Sequence, residues 1–388
     1  MTGAAHPSAS VLTDQLAQAG VFASGSPLSE AFRRVDRGAF VPAFALNEHT
    51  PQGTRYRLVR RDVAAQREEW ASHVYADETL VIEVEGESVA RALPEGAGTG
   101  RWTSSSTMPS LMARMLDELG LDDNSRVLEI GVGSGYNAAI LSERVGSERV
   151  TSIDISPRLV SDATERLARA GYHPVVAEYD GHKGYPDRAP YDRIISTTAF
   201  THVPSAWIDQ VAPGGLVLVN IAGGTGGAML KLRVGDDGRA QGRFLPEWAG
   251  FMPARSHTPR ARVTVDDEGE SGVSTLDPSL VSEPAFAFVA QLATVDAHTV
   301  LRVADDGTEF LALEGADGAW AEVDTEPVDG GFAVSQGGPR RLWSALEATH
   351  AWWVANGEPD WSHFGVTVHA EDQWVWFQNP DGPRWPLT

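Results

Sequence analysis

The sequence predicts an α/β protein with a doubly wound parallel sheet, preceded by a helical segment and followed by a small α+β domain. Three observations carry that expectation. Short apolar strands alternate with amphipathic helices between residues 126 and 222. The first strand runs straight into a glycine-rich turn, Val127-Leu128-Glu129-Ile130-Gly131-Val132-Gly133-Ser134-Gly135-Tyr136. After about residue 273 the pattern changes to closely spaced alternating segments.

Taken in order, residues 1–10 are small and polar and read as frayed. Leu12, Leu16 and Ala19 then recur at helical spacing up to Gly20, and Ser29 reads as the cap of a second helix through Val35. Arg37-Gly38-Ala39-Phe40-Val41-Pro42 turns the chain back, and residues 50–106 read as loop with a little strand around 79–84. The run Ser104-Ser105-Ser106-Thr107 leads into a helix to Leu119, with Thr107 as its cap and Pro109 in its first turn.

The alternating part reads as strand 126–130, helix 136–145, strand 149–154, helix 157–170, strands 174–178 and 192–197, helix 204–211 and strand 216–222, with a turn at Pro213-Gly214-Gly215. Ser156 as cap, Pro157 at the first helical position and Gly171 beyond the end give the second of these helices a physical reason at both ends. Glycine and acidic residues then mark a linker at 256–272, followed by strands near 299–303, 310–313, 364–368 and 373–377 and a helix at 341–356. The resulting division is 1–75 as a helical segment covering the substrate, 76–255 as the catalytic domain, and 273–388 as a second domain that recognises peptide. Eight of the twelve tryptophans fall from Trp320 onward, where core packing and peptide binding are both open.

Composition narrows the chemistry. The absence of cysteine removes disulfides, thiol nucleophiles and cysteine-ligated zinc. A formal charge of −22 disfavours a nucleic-acid substrate, and no apolar run approaches the roughly 18 residues of a membrane span. A cytoplasmic protein binding no metal is expected.

The turn has the spacing G-x-G-x-G, with Glu129 one turn ahead, where a carboxylate opposes a pyrophosphate but accepts from an ammonium. Asp154 ends the second strand, placed to accept from both hydroxyls of a ribose, and Asp180-Gly181 follows the third, where Asp180 faces an adenine amine. Gly131, Gly133, Gly135 and Gly181 let the backbone approach a ligand closely. These features in order predict a class I methyltransferase using S-adenosyl-L-methionine and releasing S-adenosyl-L-homocysteine. Ser196-Thr197-Thr198-Ala199-Phe200 lacks the Asp/Asn-Pro-Pro-aromatic pattern used on base amines, which again excludes nucleic acid. His202 is the nearby histidine available as a base, although a carboxylate acceptor needs none because it is already ionised above about pH 4.

The chain resembles the protein L-isoaspartate O-methyltransferases over roughly residues 25–255. The resemblance rests on Phe40-Val41-Pro42, Ser105-Ser106-Thr107-Met108-Pro109, the glycine turn, Asp180-Gly181, Tyr191-Asp192-Arg193-Ile194-Ile195, Val203-Pro204 and Pro213-Gly214-Gly215. It implies that Ser105 and Thr107 bond the acceptor carboxylate or nearby peptide backbone and that Glu129, Asp154 and Asp180 hold the cofactor. Two departures stand out: an insertion at 81–101 beside the serine run, and a tryptophan-rich region after 273 that lies outside the general repair enzyme. Extended chains of this kind look like actinobacterial homologues that accompany ribosomal peptide maturation, in pathways to ATP-grasp cross-linked peptides or lanthipeptides. That likeness implies a partner, a modified precursor peptide whose aspartate is esterified and then closes to aspartimide. General isoaspartate repair, a small-molecule carboxyl methyltransferase and a peptide-binding scaffold with an inactive core are the alternatives.

Overall fold

The computed structural model describes residues 7–50, 53–255, 269–304, 307–370 and 372–387. The chain forms two compact units: the first takes residues up to Thr197 together with Asp209–Leu218, and the second takes Thr198–Ile208 and everything from Val219. The strands Gly227–Val234 and Ala240–Phe244, which the sequence assigns to the catalytic segment, therefore count with the second unit. Most of the expected linker, residues 256–268, lies outside the described residues.

In the first unit the strands Val127–Ile130, Val150–Asp154, Val175–Glu178 and Tyr191–Phe200 are parallel and, numbered along the chain, lie in the order 3-2-1-4. That is the doubly wound order expected, and it brings the carboxyl ends of the strands to one edge. The registers Ile130↔Ile153 and Asp154↔Glu178 place the glycine turn, Asp154 and the Asp180 turn along it. Strands form because their side chains are buried on both faces: Val127, Leu128, Val150, Ile153, Ile194 and Ile195 are all within 3% of fully buried. The helix Tyr136–Val145 is equally enclosed, while Pro157–Arg169 buries only the stripe Leu159, Ala163 and Leu167.

The stretch expected to be loop is instead a second sheet. Ala43–Thr50 and Gly53–Arg60 form an antiparallel ribbon, and Leu80–Val84 pairs with both Ala43–Thr50 and Trp102–Ser106. Its alternation is masked in the sequence by arginine and glutamate at the open positions, as in Arg57, whose guanidinium binds Glu48 and Glu69. Tyr56, Leu58, Val81, Val84, Val89 and Leu93 build a separate small core under it. The segment 1–75 is thus part helix, Pro7–Gln18, Pro27–Arg34 and Arg67–Val74, and part sheet. Two caps also differ from expectation. Ser26, rather than Ser29, caps the Pro27 helix, and the Pro109 helix receives no bond from Thr107: Thr79 accepts from Met108 N–H and Asp77 from Ser110 N–H. Long-range oxygen acceptors replace the local one.

The second unit is α+β, as the sequence predicts. One set of antiparallel strands runs in the order Arg384–Pro386, Asp372–Phe377, Phe364–His369, Ala240–Phe244 and Gly227–Val234. A five-stranded antiparallel sheet runs in the order Glu270–Ser274, Phe332–Gly337, Trp320–Asp324, Glu309–Glu314, His298–Val303. None of the eight late tryptophans is fully exposed. Trp352 packs on Phe364, Phe377 and Trp385, and Trp353 on Phe286, while Trp320, Trp343, Trp353 and Trp376 are buried and the other four half-buried. In the strand Val211–Ala222 the Pro213-Gly214-Gly215 element lies within the strand, Pro213 and Gly214 exposed and Gly215 buried, rather than in a turn before it.

Arg37 is the least expected core residue, being 0% exposed. Its guanidinium donates to the carbonyls of Val74 at 3.2 Å, Ala76 at 3.1 Å, Glu78 at 2.8 Å, Ser106 at 3.2 Å and Thr107 at 3.2 Å. Burial lowers its pKa to about 10, which leaves it charged at neutral pH. Arg37→Ala is expected to cost more than about 4 kcal/mol, because five carbonyls, two of them in fully buried bonds, lose a charged donor at once. Arg37→Lys, with three donors, should fall between. Urea denaturation of the full chain tests this, and an alanine variant within about 1 kcal/mol of the parent would contradict it.

Candidate functional site

The carboxyl edge of the parallel sheet gathers most of the residues singled out from the sequence. Val127–Ile130 ends in the turn because Gly131, Gly133 and Gly135 adopt φ of +99°, +48° and +86°, values that only glycine accepts without strain. Gly131 and Val132 N–H donate to Ile153 O, at 2.8 and 3.1 Å, and Gly135 N–H donates to Val132 O. Thr197 Oγ1 donates to the carbonyls of Ile130 and Gly131, tying the fourth strand to the turn. A β-carbon at Gly135 would lie 3.2 Å from Ala163 Cβ and 3.5 Å from the Phe40 ring, so this glycine lets two helices and the Phe40-Val41-Pro42 motif close together.

Asp154 bridges the turn and the next helix. Its Oδ2 accepts from Gly133 N–H at 3.3 Å and its Oδ1 from Ser156 N–H at 3.0 Å, with 9% of the residue exposed. Asp180 caps the short helical turn Gly181–Lys183, accepting from His182 N–H. Burial raises its pKa, but the backbone and ring of His182 outweigh that and hold the carboxyl below its usual range, hence ionised.

Glu129 requires a correction. The sequence suggests a carboxylate open to a ligand ammonium, whereas the side chain is 0% exposed and both oxygens are engaged. Asn137 Nδ2 donates to one at 2.7 Å and Ser152 Oγ to the other at 2.5 Å. It braces the turn from behind, and Asn137 and Ser152, which the sequence reading passed over, are its partners. The apolar run Val127-Leu128-Ile130 belongs to a strand buried on both faces, which encloses Glu129 as well.

Ser105 and Thr107 lie beside the turn. Trp102–Ser106 is a strand paired with Leu80–Val84, with Leu80↔Ser106, Val81↔Ser105 and Glu83↔Ser104 and an irregularity between Val81 and Glu83. A β-carbon placed on Gly133 would sit 3.5 Å from Ser105 O and 3.7 Å from Ser104 Oγ, so the serine run and the glycine turn are neighbours, 28 positions apart in sequence. Ser105 and Thr107 are half-buried, and Ser106 and Thr107 carbonyls are held by Arg37. Glu83, 0% exposed, accepts from Thr103 Oγ1 and pairs with Arg158 on the helix that follows Asp154. The 81–101 segment thereby anchors the serine strand to the sheet's edge. His202 belongs to the second unit, its Nδ1 3.1 Å from Thr201 Oγ1.

Burial pushes the Glu129 carboxyl up to about 7, against an ordinary 4.5, with Asp154 adding to the effect and Ser152 and Asn137 opposing it. A carboxyl whose folded value is raised contributes stability that is fully present below about pH 4.5 and lost as pH rises through about 7. Glu129→Gln should therefore lose less stability than the parent between pH 5 and pH 8, the difference being on the order of 2 kcal/mol. Parallel stability curves for the two proteins, measured by chemical denaturation across that range, would refute the assignment.

Comparison with known proteins agrees with this geometry. The family model described as protein-L-isoaspartate(D-aspartate) O-methyltransferase matches residues 65–243. The protein-L-isoaspartate O-methyltransferase of Ignicoccus hospitalis is 38% identical over 164 residues, 42% of this chain and 74% of that protein. The Thermotoga maritima enzyme of the same name is 38% identical over 152 residues, 39% of this chain and 44% of that protein. A solved structure named protein-L-isoaspartate O-methyltransferase aligns with a TM-score of 0.54 at 22% identity, covering 96% of this chain and all of the other. The family model's match ends at residue 243, while this structural alignment extends over nearly the whole chain. The chain belongs to the protein-L-isoaspartate (D-aspartate) O-methyltransferase family, whose class I fold and S-adenosylmethionine-dependent chemistry it shares.

Proposed function

We propose that this chain esterifies the side-chain carboxylate of an aspartate in a ribosomally made, cross-linked precursor peptide, the ester then closing to an aspartimide. The observation that carries the reading is the Ser104–Thr107 run lying against Gly133, which sets an acceptor-side strand beside a cofactor-side turn. The partner strand Leu80–Val84 and the segment after it give that acceptor side a frame suited to selecting a peptide.

The turn fits S-adenosylmethionine: three positive-φ glycines let the backbone turn tightly at the strand's end, and Asp154 and the turn carrying Asp180 stand on the same edge. The cofactor supplies an electrophilic methyl carbon on a sulfonium. Asp154 accepts from the ribose hydroxyls, Asp180 from the adenine amine, and Gly131, Gly133, Gly135 and Gly181 permit the close approach. Glu129 acts at one remove, by holding Asn137 and Ser152. Ser105 and Thr107 orient the acceptor carboxylate through their hydroxyls, and Arg37 holds the strand that carries them. Because the acceptor is ionised above about pH 4, orientation and exclusion of water are the protein's task and His202 is assigned no proton transfer. In the closure that follows, a backbone amide nitrogen bonds to the ester carbonyl carbon and methanol departs with the amide proton.

General isoaspartate repair is the second reading, favoured by relatives that carry that name over most of their length. Incubating the full chain with labelled S-adenosylmethionine and either a linear isoaspartyl peptide or a macrocyclic aspartyl precursor separates the two. Label on the precursor, followed by a mass loss of methanol, supports the proposal. Label on the isoaspartyl peptide alone rejects it in favour of repair. Asp154→Ala is expected to weaken cofactor binding at least about tenfold, the value of a hydrogen bond to a charged group. Unchanged affinity by calorimetry would remove Asp154 from the site.

A further inference from the structure

The turn that carries Asp180 is held by its backbone at both ends. Tyr179 N–H donates to Asp154 O at 3.0 Å, which ties its start to the end of the neighbouring strand. Gln210, 6% exposed, clamps the far end: its Oε1 accepts from Tyr185 N–H at 2.7 Å and its Nε2 donates to Lys183 O at 2.8 Å. A β-carbon on Gly184 would lie 2.5 Å from Gln210 Oε1, so the chain passes close against that amide. What the backbone leaves unset is the orientation of the Asp180 carboxylate, whose side chain is 35% exposed.

His182 sets that orientation. Asp180 Oδ1 accepts twice from this one residue, from its backbone N–H at 3.0 Å and from its ring Nδ1 at 3.0 Å. The ring nitrogen carries the proton, because an ionised carboxylate can only accept. Oδ2 receives no hydrogen bond from the described residues. With the backbone bond alone the carboxylate can turn about its accepting oxygen. A second donor on the same oxygen holds the carboxylate plane, and with it the position of Oδ2. An oxygen that only accepts is met by the amine of a 6-amino purine and opposed by the carbonyl of a 6-oxo purine, which brings a lone pair to the same place.

We propose that His182 is a positioning residue for the cofactor: its ring fixes the Asp180 carboxylate so that the unbonded oxygen accepts from the exocyclic amine of adenine and rejects a 6-oxo base. The inference rests on the reading of Asp180 as the adenine contact, and its test needs no methyl transfer. Calorimetry on the full chain compares S-adenosylhomocysteine with S-inosylhomocysteine, its 6-oxo counterpart. The parent is expected to prefer the adenosyl compound at least about tenfold. His182→Ala is expected to weaken the adenosyl compound several-fold and to leave the inosyl compound within about twofold, so that the preference shrinks. His182→Asn, whose amide nitrogen stands where Nδ1 stood, is expected to restore most of it. The preference is a ratio measured within one protein, so a change in the folded fraction cancels. An alanine variant that keeps the parent's ratio, or that loses both compounds equally, overturns the proposal, as does an asparagine variant no better than alanine. A parent that binds the two compounds equally removes Asp180 from the adenine, and the role of His182 falls with it.

Discussion

The buried guanidinium of Arg37 is the point on which the first unit depends. One planar group with five donors satisfies carbonyls from two distant stretches, 74–78 and 106–107, while its carbon lies 5.9 Å from the centre of the Tyr136 ring. Three motifs separated in sequence, the turn before Phe40, the serine run and the glycine turn, are thereby held in one arrangement. A charge sealed from water is costly on its own; here its carbonyl partners offset much of that cost, and removing either side leaves the other stranded.

A second buried charge does similar work. Glu83 is enclosed, bonded by Thr103 and paired with Arg158, which also bonds Asp162 within its own helix. The sheet that carries the serine run is in this way fastened to the helix that starts three residues beyond Asp154. Glu129 makes a third case, with Asn137 and Ser152 as its partners. In each, polar atoms inside the protein fix geometry that apolar packing alone would leave free to slide, and the reacting side of the site inherits that rigidity.

The parallel sheet was legible in the sequence because its strands are continuous apolar runs and its helices carry caps and stop signals, as at Ser156, Pro157 and Gly171. The glycine turn and the two aspartates were legible for a related reason: their positions follow from strand ends, which are local. The sheet between 43 and 106 was not. Its strands carry arginines, glutamates and serines whose partners are remote, so alternation of hydrophobicity is weak and the strand character comes from pairing. The cap of the Pro109 helix failed to be read in the same way, since Thr79 and Asp77 reach it from another element.

What the sequence determined by itself is the class of fold and the order of chemical groups along it, since periodicity, glycine spacing and capping are properties of neighbouring residues. Tertiary structure alone decided which polar groups are spent and which remain. Glu129 was enclosed by a strand covered on both faces, Arg37 was drawn into the core by carbonyls that only folding assembles, and Trp343, Trp353 and Trp376 were taken up in packing. Hydrogen-bond satisfaction is a three-dimensional account, and no local pattern of residues reports it.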